Sequence, residues 1–136
     1  MLERLDHYSI RTTDVDRTRA FYTEVLGLEV GPRPNFPFPG VWLYQSGIAV
    51  VHVVGIDPND SAGLQDYLGD RGAPADDAGT GSIDHVAFLG RDFEGMRTRF
   101  ENSKIPFRER KVPNMDLMQL FINDPNGVTI ELNFPQ

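Results

Sequence analysis

The chain has 136 residues, of which 40% are hydrophobic and none is cysteine, a size and composition typical of a single domain with a core of ordinary size. The absence of cysteine excludes disulfides, thiolate nucleophiles, zinc ribbons and iron–sulfur clusters. The net charge of −7 would repel a phosphate backbone, so nucleic acid is not an expected partner.

The amino terminus and the apolar runs do not indicate export or membrane insertion. Residues 1–4 carry charges of both signs and lead directly into a predicted strand, unlike a signal peptide. The longest mostly apolar run, residues 47–56, is much shorter than the ~20 residues that a membrane helix needs. We therefore expect a soluble, cytoplasmic protein with no membrane partner.

Two short segments of the chain begin with the same pattern of an apolar residue, Asp and His. They are Leu5-Asp6-His7 and Ile83-Asp84-His85, and 85 − 7 gives an offset of 78 residues. With the same offset Tyr22 corresponds to Phe100. Two copies are too few for a solenoid, so the repeat predicts one domain over residues 1–136, built from two modules. The first module is predicted at residues 1–56, the linker at 57–82 and the second module at 83–136.

The first module is predicted to have the order β-α-β-β-β. Alternation over residues 4–11 predicts a strand that places His7 on a polar face. Thr13 or Asp14 can cap the helix that follows, and Gly27 can end it. Gln45-Ser46-Gly47 is a hairpin signal. The three later strands are predicted at residues 28–31, 41–44 and 48–54.

The linker and the second module follow. Residues 57–82 are rich in Asp, Gly, Ala, Pro and Ser, with Leu64, Tyr67 and Leu68 able to pack one short helical turn. Linkers this long are typically lids, binding loops or mobile connectors. The second module repeats the order, with Asp92 opening its helix and a tight turn at residues 123–127. Its strands are predicted at residues 83–89, 105–110, 117–122 and 128–134.

All three histidines, His7, His52 and His85, fall within predicted strands. His7 and His85 occupy equivalent positions of the repeat, and Glu131 lies on the last predicted strand. Two imidazoles and a carboxylate suit a divalent first-row metal ion such as Fe(II), Mn, Ni or Zn. Three protein ligands leave coordination positions open for substrate or water, so the set predicts a catalytic metal site. Each residue by itself also fits an ordinary core or surface position.

His52 has two possible roles: a fourth metal ligand, or a proton-transfer group beside the metal. Alignment of the modules on their turn glycines pairs Glu131 with Val51, so a regular strand would turn His52 to the other face. A β-bulge would return it to the face of Glu131. Asp6 and Asp84 are expected to point away from their neighbouring histidines and to be structural. Arg11 and Arg33 are expected to be solvated charges, with binding of an anionic substrate group as the alternative.

Two stretches resemble those of a known superfamily. His7 to Arg11, followed by Phe21 to Leu28, resembles the glyoxalase I signature region, and Asp124 to Leu132 is similar to the carboxy-terminal motif of the same group. This is the vicinal oxygen chelate superfamily, which includes glyoxalase I, bleomycin resistance proteins, methylmalonyl-CoA epimerase, extradiol dioxygenases and fosfomycin-resistance enzymes. The resemblance covers nearly the whole chain outside the linker.

The resemblance implies an α+β fold of two tandem βαβββ modules. Their sheets would form a half-open mixed β-barrel around one divalent metal ion per site, with the helices outside. It implies His7, His85 and Glu131 as metal ligands. In the fourth position the superfamily has Glu, Gln or no ligand in different branches, and here the nearest residue is His52.

Three functions follow from the resemblance. The first is a glyoxalase-type lyase or isomerase, in which the metal chelates two adjacent substrate oxygens and stabilises an enediolate while Glu131 or His52 moves the proton. The second is a non-haem Fe(II) dioxygenase of the extradiol type. The third is a small-molecule binding or resistance protein that uses aromatics such as Phe36 and Trp42. We expect the first, in a homodimer that buries the apolar stretch from Phe36 to Tyr44.

Overall fold

The structure, a computed structural model, describes residues 1, 3–57, 59, 62–64, 83, 85–113 and 115–136. The chain divides into two compact units, Met1–Asp77 and Ala78–Gln136, and each unit carries one copy of the repeat. The division falls within the predicted linker, most of which, with Tyr67 and Leu68, lies outside the described residues. Among the described helices, none has the length and apolar character needed to cross a membrane.

The first unit has the predicted β-α-β-β-β order. Its sheet has four strands in the order β1-β4-β3-β2, with β1 parallel to β4 and the other neighbours antiparallel. The elements are β1 (Tyr8–Thr12), α1 (Val15–Ala20), a π-helical segment (Phe21–Val25), β2 (Glu29–Gly31), β3 (Gly40–Gln45) and β4 (Ile48–Gly55).

Local chemistry sets the ends of the first helical region. The Asp14 carboxylate accepts the backbone N–H of Arg17 at 2.9 Å, which satisfies a donor that the first helical turn leaves open. Gly27 ends the region with φ 77°, a left-handed conformation that glycine adopts without strain. The predicted cap and end are confirmed, whereas the π-helical widening at Phe21–Val25 was not predicted from the sequence.

The second unit repeats the same topology. Its sheet has four strands in the order β5-β8-β7-β6, with β5 parallel to β8. The side chain of Asp92 caps α2 by accepting the N–H of Gly95 at 3.0 Å. The α+β class and the two βαβββ modules are thus confirmed. The elements are β5 (Val86–Leu89), α2 (Phe93–Asn102), β6 (Arg108–Lys111), β7 (Leu117–Asn123) and β8 (Thr129–Pro135).

In each unit the last strand buries alternate residues, because successive side chains point to opposite faces. Along β4, Val51 and Val53 are buried while His52 is half-buried, and along β8, Ile130 and Leu132 are buried while Glu131 is half-buried. Tyr22 and Phe100, the equivalent residues of the repeat, are both fully buried in their units. The hydrophobic face therefore forms the core, and the opposite face carries the candidate site residues.

The first strand of each module begins later than predicted. β1 starts at Tyr8 and β5 at Val86, whereas the sequence predicted strands from residues 4 and 83. His7 and His85 consequently stand immediately before a strand rather than within one, and only His52 lies inside a strand. The alternation rule therefore does not fix the direction of the side chains at residues 4–7.

Candidate functional site

A one-residue bulge in β4 decides where His52 points. Leu43 pairs with Val51 but the next residue, Tyr44, pairs with Ala49, so the strand carries one extra residue at this place. Beyond the bulge, His52 is the cross-strand partner of Trp42. The bulge that the sequence alignment required is present, and it returns His52 to the face opposite the core.

The bulge makes His52 the counterpart of Glu131. His52 lies beside Ser9 of the parallel strand, and Glu131 lies beside Ala87, which is Ser9 shifted by the repeat offset. Each unit thus combines a histidine that precedes its first strand with a polar residue in the middle of its last strand. In the first unit these are His7 and His52, and in the second His85 and Glu131.

The His7 ring is held by its neighbour. Its Nδ1 lies 2.6 Å from Asp6 Oδ2, and this hydrogen bond holds the pKa of Asp6 below its ordinary value. A carboxylate at Nδ1 keeps the proton on that nitrogen and leaves the Nε2 lone pair available to a metal ion. The expectation that Asp6 points away from His7 was wrong, because these residues are not in a strand. Asp84 lies outside the described residues.

Trp42, His52 and His7 form a stack of three rings. The His52 centroid lies 3.9 Å from that of Trp42, with planes 10° apart, and 3.7 Å from that of His7, with planes 15° apart. Imidazole lone pairs lie in the plane of the ring. Two nearly parallel rings at this separation therefore cannot direct both lone pairs at one ion. This geometry favours one of the two histidines as ligand and the other as its neighbour.

His52 is a neutral imidazole at neutral pH. Burial lowers its pKa, and electrostatic repulsion between the His52 and His7 rings acts in the same direction. His52 Nε2 lies 3.1 Å from the Ala49 carbonyl oxygen, which only accepts hydrogen bonds, so Nε2 donates and Nδ1 keeps the lone pair. Nδ1 is therefore the atom of His52 that can accept a proton.

In the second unit, the two carboxylate oxygens of Glu131 have different partners. Its Oε1 accepts hydrogen bonds from Gln119 Nε2 at 3.1 Å and from Asn133 Nδ2 at 2.7 Å. Gln119 Nε2 also donates to Asn133 Oδ1 at 2.9 Å, and Arg110 donates to Gln119 Oε1 at 3.2 Å. We call Gln119 and Asn133 the amide clamp. It leaves Oε2 facing His85 Nε2 at 3.3 Å.

The donor atoms suit a divalent metal ion. Two ligands bound to one ion at ~2.0–2.2 Å lie ~3 Å apart, and the His85–Glu131 spacing of 3.3 Å agrees with this. Hydrogen bonds that orient ligands from behind, as the amide clamp and Asp6 do, are typical of metal centres. Within the described part of the chain, no three His, Cys, Asp or Glu side chains come together as a ready metal-binding group, and each unit by itself presents a pair.

Sequence reasoning did not identify the amide clamp. Gln119 is only 6% exposed, and a buried polar side chain must find partners. Its position opposite Asn133 follows from the register of β7 and β8. The signal available in the sequence was a Gln in an otherwise apolar strand, but its partners depend on a register that residue types do not reveal.

The aromatic loop of the first unit packs within its own unit. Phe38 clusters with Ile56 and Leu64, and Phe36 packs against this cluster. Arg33 donates to the Phe38 carbonyl oxygen at 2.9 Å and lies over both phenylalanine rings, and burial lowers its pKa. Arg33 thus braces the loop. Because these aromatics contact their own unit, they do not by themselves indicate a dimer interface.

Comparisons with known proteins agree with one another. The sequence model of the glyoxalase/bleomycin resistance protein/dioxygenase superfamily matches residues 4–132. Glyoxylase I 4 of Arabidopsis thaliana is 26% identical over 134 residues, which cover 96% of this chain and 70% of that protein.

Two solved structures share the fold. A glyoxylase/bleomycin resistance protein/dioxygenase domain from Frankia sp. EAN1pec has a TM-score of 0.71 at 15% identity, covering 100% of this chain and 94% of that one. A mutant of the fosfomycin resistance protein FosX from Listeria monocytogenes, complexed with Mn(II) and 1S,2S-dihydroxypropylphosphonic acid, has a TM-score of 0.72 at 13% identity. The match covers 100% of this chain and 95% of that one.

Proposed function

Because the chain belongs to the glyoxalase/bleomycin resistance protein/dioxygenase superfamily, whose members are mostly enzymes, we propose that it is a divalent-metal-dependent enzyme of the glyoxalase type. Its reaction is a proton transfer on a small substrate with two adjacent oxygens, catalysed as a lyase or isomerase. We propose His7, His85 and Glu131 as the ligands of one divalent ion per chain, and His52 as the neighbouring proton-transfer residue.

The arrangement of Glu131 is the observation that carries this proposal. The Glu131 side chain is only 14% exposed, so protein groups rather than bulk water must satisfy most of its carboxylate. Here two amide donors hold Oε1, and a histidine nitrogen lies 3.3 Å from Oε2. Such an oriented carboxylate beside an imidazole is the arrangement that a metal site requires.

The protein residues would divide the work as follows. When bound, a divalent ion supplies Lewis-acid polarisation of substrate oxygens. His7 would be presented through Nε2, because Asp6 occupies Nδ1. His52 would take a proton at Nδ1 while its Nε2–H group still donates to the Ala49 carbonyl oxygen. The lowered pKa of His52 keeps the ring unprotonated, and so able to accept, at neutral pH. Trp42 is stacked on His52 and would fix the orientation of the imidazole plane, in which the Nδ1 lone pair lies.

Metal binding tests the ligand set. We expect one Mn(II), Ni(II) or Zn(II) ion per chain by titration calorimetry, and a large loss of affinity in His85→Ala and in Glu131→Gln. His52→Ala should retain the ion, and Arg99→Gln on the exposed surface of α2 serves as control. Equal metal content in wild type and His85→Ala would refute the proposed site, and loss of the ion in His52→Ala would make His52 a ligand.

The donor set of two histidines and one carboxylate also favours a second function, because it is the set that non-haem Fe(II) oxygenases use. Reconstitution with single metals separates the two. We expect isomerisation of a hemithioacetal with Zn(II), Ni(II) or Mn(II) and no oxygen uptake. Activity confined to Fe(II), with oxygen consumed on a catechol panel, would establish a dioxygenase instead.

We further propose a homodimer, since each unit has a sheet with two edge strands and a half-buried polar face. Static light scattering over micromolar concentrations tests this proposal. A monomeric mass throughout that range would refute it.

A further inference from the structure

One row of paired residues crosses all four strands of the second unit. Arg108 pairs with Phe121, Phe121 with Glu131, and Glu131 with Ala87. Directly paired residues point to the same face of a sheet, so Arg108 lies on the face that carries Glu131. Neighbouring strands are ~4.8 Å apart, which places the Arg108 backbone roughly 10 Å from that of Glu131.

The Arg108 guanidinium stacks on an aromatic ring and has no competing partner in the described part of the chain. Its central carbon lies 4.4 Å from the centroid of the Phe121 ring, a cation–π arrangement that leaves the N–H groups along the edge of the guanidinium plane free to donate. Within the described residues the Arg108 side chain makes no hydrogen bond or ion pair. The neighbouring acid, Glu109, pairs instead with Arg97 at 3.4 Å.

The free guanidinium opens into a cavity. Arg108, Phe121, Asn123 and Thr129 are among the residues that line a space of about 380 Å³. Thr129 donates to Asn123 Oδ1 at 3.1 Å, which leaves the Asn123 amide N–H groups without an acceptor among the described residues. The described lining contains no carboxylate. A cation and an amide donor beside an aromatic ring are suited to an oxyanion.

We propose that this cavity binds an anionic group of the substrate, a carboxylate or a phosphate, with Arg108 as the main contact and Asn123 as the second donor. The inference rests on the proposed function for its catalytic meaning, because it places an anion about two strands away from the proposed metal ligand Glu131. The substrate would then carry its metal-binding oxygens at one end and a negative charge at the other.

The repeat shows that this feature belongs to one module only. In the first unit, the row equivalent to Arg108, Phe121 and Glu131 consists of Gly31, Trp42 and His52. Gly31 brings no charge, and a side chain there would collide with the Tyr44 ring, whose nearest atom lies 2.5 Å from the Cβ position. One anion subsite per chain is therefore expected.

The test uses the metal-free protein, so that anion binding and metal binding are measured separately. The Nε–Hε signal of Arg108, identified as the one that Arg108→Gln removes, is followed by NMR during titration with sodium phosphate or sodium acetate, with sodium chloride at equal ionic strength as reference. We expect a saturable shift of this signal with phosphate, acetate or both, and the more effective anion identifies the class of substrate group.

Two variants make the result specific. The Asn123 side-chain amide signal should also shift in wild type, and in Arg108→Gln its apparent affinity for the anion should fall by at least about tenfold, as expected for loss of a charged hydrogen-bond donor. Arg99→Gln, which removes another exposed arginine, should leave the titration unchanged. A shift no larger than in sodium chloride, or an unaltered Asn123 titration in Arg108→Gln, would overturn the proposal.

Metal titration of Arg108→Gln separates this inference from the proposed function. The variant should bind Mn(II) as wild type does. If His85→Ala also binds the metal normally, while phosphate or acetate gives a saturable shift of the Arg108 signal, the metal site is refuted and the anion subsite stands.

Discussion

Replacement of Gln119 by Met tests whether the amide clamp positions Glu131 for a metal ion. Met has nearly the volume of Gln and fills the same space, but it cannot donate a hydrogen bond. The change removes one of the two hydrogen bonds on Glu131 Oε1 and the bond that orients Asn133. We therefore expect the variant to fold and to bind metal more weakly.

The size of the effect follows from the contacts. A hydrogen bond to a charged group is worth about 1.5–3 kcal/mol, and about 1.4 kcal/mol corresponds to a factor of ten in affinity. The loss of one such bond predicts a roughly 10- to 100-fold weaker Mn(II) affinity, the range typical for outer-shell partners of metal ligands. Asn133 still donates at 2.7 Å, so binding should be weakened rather than abolished.

The assay counts free Mn(II) by electron paramagnetic resonance during titration of the metal-free protein. Gln45→Met, the same change at an exposed position of β3, is the matched control and should bind as wild type does. Urea denaturation of the metal-free variants confirms that each is folded. If Gln119→Met retains the wild-type affinity while Glu131→Gln loses it, the amide clamp does not support the ligand.

Three further predictions concern stability. His52 has a lowered pKa in the folded protein, so its contribution to the free energy of unfolding is complete above about pH 6.5 and is lost as the pH falls through the lowered value. In a urea-denaturation series of the metal-free protein, His52→Gln should therefore lose less stability than wild type as the pH falls. Parallel pH dependences of the two proteins would contradict this. Phe100→Ala should lower the free energy of unfolding by about 3–5 kcal/mol, because the ring is fully buried and its removal leaves a cavity. A loss below about 1 kcal/mol would show instead that the surrounding core collapses into the space of the ring. Gly127 has φ 83° and open space at its Cβ position, so Gly127→Ala should cost only the backbone strain of about 1–2 kcal/mol, and a larger loss in thermal unfolding would reveal an unseen contact.

The features that could be predicted from the sequence are those set by neighbouring residues. The caps at Asp14 and Asp92 and the glycine at position 27 follow from the chemistry of one helical turn. The repeat predicted two βαβββ modules, because the same pattern folds in the same way twice. The first residues of the strands could not be predicted in the same way. β1 begins only where it finds a pairing partner in β4, whereas alternation alone extended the predicted strand back to residue 4.

The candidate site could be predicted only in part, for a related reason. His7, His85 and Glu131 stood out by residue type and repeat position. Gln119 did not, because its role depends on the cross-strand register that places it opposite Asn133. The ring stack of His52 likewise depends on the bulge and on Trp42 across the hairpin. Contacts between distant parts of the chain decide these roles, and residue types alone do not specify the contacts.

The extra residue in β4 has an evolutionary consequence. In a regular strand, one inserted residue would turn every later side chain to the opposite face, but a bulge absorbs the insertion, so the later residues keep their faces. The hydrophobic pattern of Val51 and Val53 continues past the insertion. The last strand of the first module therefore has one residue more than that of the second between the turn glycine and the site residue, and His52 still occupies the position that Glu131 has in the second module. A bulge thus allows the two halves of a duplicated fold to differ in length without losing the correspondence of their site residues.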